Sequence, residues 1–179
     1  MSILYFDDND KISRLTSHPN FNKILPEELY METNHVFSPF GSDIGKETLI
    51  KFSEWYFEGG SDFVLDFFAD IFYEKWGVHE DIVWKNSMED EEEIKAFEKE
   101  NGGLLHGLCQ LVVATAFGQF KIRGTTDDYI KEIVENAVKQ QILILNYKQT
   151  LSDDDKIHLD YLNRILTDLN KIPLLIIEY

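Results

Sequence analysis

Four carboxylates, Asp62, Asp66, Asp70 and Glu74, recur at every fourth residue, and on a helix that spacing stacks them along one edge. Like charges so placed cost roughly 0.2–0.5 kcal/mol per pair, and no lysine interrupts them. Glu54 and Glu58 repeat the spacing just upstream, and Glu89, Asp90, Glu91, Glu92 and Glu93 follow as an unbroken run. Carboxylates in such number can ligate a hard cation, exchange protons, or project a negative field.

The first two kinds of chemistry need company that the sequence does not supply. Helical di-metal sites combine inward carboxylates with a Glu-x-x-His pair on each of two helices. Asp155-x-x-His158 is the one similar pair and has no second copy. Asp8-Asn9-Asp10 does not continue into a calcium loop. The single cysteine, Cys109, rules out zinc sites built on several thiolates and any disulfide within the chain. Set in the apolar run Leu108 to Val113, it reads as a buried structural thiol. There is no G-x-S-x-G, H-E-x-x-H or C-x-x-C. His79-Glu80-Asp81 is a run of neighbours that cannot share a helix face. Neither a catalytic residue, nor a metal, nor a cofactor is therefore expected. The negative field is the chemistry left.

That field is concentrated. The net charge is −16, and residues 51–100 alone hold 15 acids against 5 bases. Such a balance argues against direct nucleic-acid binding, which needs clustered lysine and arginine, and against an anionic membrane surface. It favours a basic protein partner, drawn in by long-range attraction. Trp55 and Tyr56, between Glu54 and Glu58, are the expected aromatic anchors of such an interface.

A second candidate is a small-molecule pocket at Gly103, His106 and Gly107. Gly107, Ala114 and Gly118 lie along one face of a long apolar segment, and an interior glycine costs about 1 kcal/mol relative to alanine. Close helix packing is the plainer reason to keep such residues, and a ligand groove beside His106 the sharper one. The glycines of Gly59-Gly60-Ser61 and Asn101-Gly102-Gly103 read as helix ends rather than phosphate cradles, because acids surround both.

These residues need helices to place them. Asp43 is the expected cap of a helix over residues 45–58, and Ser61 of one over 62–76. The second is apolar around most of its circumference and so is expected at the centre of the fold. Residues 78–84 read as extended or as a turn. Ser87 is expected to cap a surface helix running to Glu100, and a mostly buried helix should cover 104–122. Thr125 or Thr126 should cap the next, to about Leu145, and Ser152 with Asp155 opens the last, to Leu169. Ile3 to Phe6 and Leu174 to Ile177 read as two short strands that pair.

The resulting expectation is a mainly α chain of about six helices, one domain over residues 1–179, with a small sheet joining its ends. Aromatic residues at 13% and hydrophobic residues at 44% are enough for a core without staples. The longest apolar run, Leu104 to Gly118, is interrupted by His106, Gln110 and Thr115 and falls short of the roughly 20 residues that cross a bilayer. With an amino terminus unlike a signal peptide, a cytoplasmic protein is expected. The favoured function is neutralisation of a basic partner, in the manner of immunity proteins or nucleic-acid mimics. A helical carboxylate- or metal-using hydrolase and a structural subunit of a larger assembly are the alternatives, and the oligomeric state stays open.

Overall fold

The computed structural model describes residues 3–7, 11–59, 64–77 and 85–175, apart from the side chains of residues 72–74. The described residues form seven α-helices: α1 Pro19–Ile24, α2 Asp43–Phe57, α3 Val64–Asp70, α4 Glu91–Asn101, α5 Leu104–Arg123, α6 Asp128–Asn146 and α7 Asp153–Leu169. α3 runs on into a wider π-helical turn, Ile71–Trp76. Five of the six expected helices thus appear over nearly the expected residues. The sixth, over 62–76, is split into an α part and a π part.

α5 is the axis of the fold. Of its 20 residues only Leu104, His106, Gln110 and Arg123 escape full burial, and α1, α2, α4 and α6 pack directly on it. α2 runs beside it in the same direction. Ile44 lies near Gly107, Leu49 and Phe52 near Gly118, and the Tyr56 hydroxyl accepts from Arg123 Nη1 at 2.8 Å near the far end. α6 returns antiparallel, with Asp127 at Gln119 and Gln141 at His106. α7 closes the bundle against α6. A Cβ on Gly107 would stand 3.3 Å from Ile44, and one on Gly118 3.2 Å from Leu49. Close packing of α2 on α5 is therefore what the two glycines allow.

The expectation that the 62–76 helix is central is corrected. Val64, Phe67, Phe68 and Ile71 are buried, but Asp66 and Asp70 are exposed, so α3 is a one-faced helix, joined to α2 through Phe67. Both segments are apolar enough for the centre. α5 takes it because its few interior polar groups find partners: Thr115 bonds Leu111 C=O, Gln119 bonds Asp127, and Lys121 pairs with Asp7.

The expected pairing of the two chain ends is also corrected. Residues 3–7 form no strand. The N–H of Tyr5 donates instead to Ile122 C=O at 3.0 Å, and that of His18 to Lys121 C=O at 2.8 Å. At the other end Leu174 makes one isolated parallel bridge to Thr126, and residues 176–177 lie outside the described residues. The last carbonyls of a helix have no partner within it. Those of α5 recruit the amino-terminal segment, and the Thr126 turn recruits the carboxyl-terminal one.

Helix starts shift for a similar reason. Ser42 rather than Asp43 caps α2, its Oγ accepting from Gly45 N–H. Asp90 rather than Ser87 caps α4, accepting from Glu93 N–H at 2.9 Å, with three glutamates in the favourable first turn. Asp127, not Thr125 or Thr126, precedes α6. The reciprocal capping box of Ser152 and Asp155 forms as expected. The expected cap Ser61 and the segment 78–84 lie outside the described residues. Among the described residues no single helix is long and apolar enough to cross a membrane.

Candidate functional site

α2 and α3 meet through rings. Phe52 lies 5.0 Å from Phe67, and Trp55 lies 5.7 Å from both Phe52 and Phe67. Tyr56 is buried at 8% exposure, its hydroxyl engaged by Arg123. The two expected anchors are thus structural: Tyr56 belongs to the core and Trp55 is half-buried in the seam. The ring that the α2 face does present is Phe57, 76% exposed and flanked in sequence by Glu54 and Glu58. Helical spacing from Ile50 and Ser53 was the sequence signal for it, because that stripe lies away from the one packed on α5.

The acids fall into two groups. Glu54 and Glu58 are exposed on the last turns of α2, and Asp66 and Asp70 on α3 beside them. Asp62 lies outside the described residues, and the side chain of Glu74 is not described. The second group, Glu89, Asp90, Glu92 and Glu93, is exposed at the start of α4, while Glu91 is half-buried and paired with Lys95. This group is fastened to a different helix: Tyr147, which caps the end of α6, donates its hydroxyl to Glu89 C=O at 3.0 Å, and Gln140 donates to Lys85 C=O at 2.5 Å. Among the described residues Glu54, Glu58, Asp70, Glu89 and Glu93 form no ion pair.

The three residues of the expected pocket do not share a cavity. Gly103 is exposed, in the left-handed conformation at φ +78°, at the start of α5. Gly107 faces Ile44 and Trp76. His106 points to another side, within 3.0 Å of Gln110 and 3.4 Å of Gln141. There it meets His158, and a third histidine, His35, is joined to His158 through the ring of Phe37. His158 stands edge-on to His106 at 5.3 Å and stacks on Phe37 at 4.3 Å, and His35 stacks on Tyr161 at 4.4 Å.

Burial and, second, the neighbouring His106 push the His158 imidazole down to about 4, so it is neutral near pH 7. The hollow beside these rings is ≈ 30 Å³, room for a water molecule or two and no substrate. Asp155, which could have completed a histidine–carboxylate pair, is held in its capping box and by Lys148 at 2.6 Å. Cys109 is buried, its thiol pushed up to about 12 by burial, which suits a packing role. Among the described residues no group of three or more His, Cys, Asp or Glu side chains is placed to hold a metal ion.

A larger cavity, ≈ 540 Å³, lies elsewhere, between the outer face of α2 and the amino-terminal segment. Leu49 and Ile50 form its floor, Phe6 and Ile12 its opposite wall, and Phe57 one end. The amino-terminal wall is held by Asp7, which accepts from buried Lys121 at 2.7 Å, from Ser13 N–H at 3.1 Å and from the Thr16 hydroxyl. Burial lowers the pKa of Lys121, while Asp7 opposes that shift by favouring its charged form. Sequence reading missed this cavity because its two walls are separated by some forty residues of chain.

Over 174 residues the chain is 27% identical to "Uncharacterized protein YfeS" of Escherichia coli (strain K12), covering 97% of this chain and 69% of that protein. No family model matches the chain, and no solved structure matches it.

Proposed function

We infer that this protein is an acidic interaction protein that binds a basic partner protein and neutralises it, as immunity proteins and nucleic-acid mimics do. One observation carries the reading. Among the described residues the exposed carboxylates Glu54, Glu58, Asp70, Glu89 and Glu93 stand without ion-pair partners. Unpaired surface acids repel one another at a cost in stability, and they repay it where a cationic surface docks and association is steered by the field. Exposed Phe57, between Glu54 and Glu58, supplies the apolar contact that charge steering alone lacks.

The test begins with capture of binding proteins from cell extract at low salt, followed by release at high salt. A basic protein released by salt supports the reading and provides the partner for kinetics. A variant with Glu54→Gln, Glu58→Gln, Asp70→Asn and Glu93→Gln should then associate at least roughly tenfold more slowly and with a flatter salt dependence. Unchanged association kinetics in that variant would sink the proposal.

A further inference from the structure

α2 carries two working faces. One, with Thr48, Phe52 and Tyr56, packs on α5; the other, at Lys46, Ile50, Ser53, Glu54 and Phe57, lines the ≈ 540 Å³ cavity, and Leu49 lies between them and touches both. That volume lies within the range of roughly 300–1,000 Å³ typical of small-molecule sites. Its apolar floor runs between two opposite charges. Lys46 is half-buried at one end and Glu54 exposed toward the other, and among the described residues neither forms an ion pair. An ammonium without a carboxylate partner among the described residues, in a chain of net charge −16, is available to an anionic group of a ligand.

The eight-residue separation of Lys46 and Glu54 sets a length, about 12 Å at 1.5 Å per helical residue. An extended peptide advances about 3.3–3.6 Å per residue, so three or four residues cover that distance. We propose that this cavity binds a short apolar peptide with free ends, its carboxylate on Lys46, its ammonium on Glu54 and its side chains over Leu49, Ile50 and Phe57. Phe6 and Ile12 cover the other side of the peptide. Asp7, already engaged by Lys121, holds that wall rather than the ligand. The site is argued independently of the basic-partner reading and shares Glu54 and Phe57 with it.

Isothermal titration calorimetry of the full chain near neutral pH tests the proposal, with Leu-Leu-Leu as the probe. Its N-acetylated form, its C-terminal amide and decanoate serve as comparisons, and Lys46→Met and Glu54→Gln as the variants. Both substitutions lie outside the core, and unchanged circular dichroism and thermal midpoints verify that each variant is folded. Leu-Leu-Leu should bind. Acetylation and Glu54→Gln should each weaken it at least about tenfold, the loss expected when a charge-assisted hydrogen bond is removed. The acetylated peptide should no longer distinguish Glu54→Gln from the native chain. Amidation and Lys46→Met should form a second such pair.

No heat from Leu-Leu-Leu in the millimolar range would overturn the proposal. So would binding indifferent to both caps, or decanoate binding as tightly as the peptide and unaffected by Glu54→Gln. None of these outcomes bears on capture of a basic protein.

Discussion

Asp127 and Asp168 on the α5–α6–α7 side of the molecule are buried and partnered and Asp155 is tied into a cap, whereas among the described residues Glu54 and Glu58 at the end of α2, Asp70 on α3, and Glu89 and Glu93 at the start of α4 form no ion pair. Asp168 is fully buried and accepts from Tyr30 Oη at 2.5 Å, Arg164 Nε at 2.6 Å and Lys171 Nζ at 2.6 Å. Asp127 accepts from Gln119 at 2.7 Å, and Asp155 from Lys148 at 2.6 Å. Among the described residues Glu54, Glu58, Asp70, Glu89 and Glu93 have no such cations. The same residue types therefore do different jobs. Satisfied acids hold elements together, and unsatisfied ones remain available to another molecule.

The contrast breaks most sharply at Asp168. Burial by itself would raise its pKa, but the bonds from Lys171, Tyr30 and Arg164 together outweigh burial and hold it below the ordinary value. Asp168→Ala would orphan three donors, so a loss of about 3–5 kcal/mol in urea unfolding is expected. The four-acid variant Glu54→Gln, Glu58→Gln, Asp70→Asn, Glu93→Gln should shift the same measurement by less than about 0.5 kcal/mol per site. A comparable loss in both variants would erase the distinction between the two regions.

Acid titration sharpens the comparison with its own sign. Because Asp168 has a depressed folded pKa, its contribution is present above its unfolded value of about 3.9 and is lost as pH falls through its lower folded value. His158 acts in a higher window. Its folded pKa of about 4 lies below the ordinary imidazole value of 6.5, so between them the unfolded chain binds the proton and the native chain does not. Stability should therefore fall as pH is lowered from 6.5 toward 4, and His158→Phe should flatten that slope in thermal unfolding. An unaltered slope would mean that the imidazole titrates in the folded chain as it does unfolded.

The smallest effect expected is that of Tyr147→Phe, which removes the bond to Glu89 C=O. A loss of about 0.5–1.5 kcal/mol is expected from unfolding, with faster amide exchange at the start of α4 as its local signature. If exchange there were unchanged, the second acidic group would be held by other contacts.

Some of this was legible residue by residue. Ser152 and Asp155 announce the start of α7 because both halves of a capping box are local. The choice of Ser42 over Asp43, or Asp90 over Ser87, was not, because neighbouring residues there are comparable caps and packing selects among them. The exposure of the acids was readable from their spacing. That Tyr56 would be held in the core by Arg123 was not, since the two residues meet only when α2 lies along α5.

By itself, the sequence determined a helical chain with its acidic excess in one stretch and its apolar residues in stripes, since periodicity and charge are local properties. Tertiary structure alone decided three things: α5 rather than the 62–76 segment at the centre, three histidines at one place, and a cavity between α2 and the amino-terminal segment. Each depends on which residues distant in sequence are brought within a few ångströms. The partners of buried polar groups such as Lys121 and Gln119 settle that choice, and such groups cannot be left unpaired inside a core.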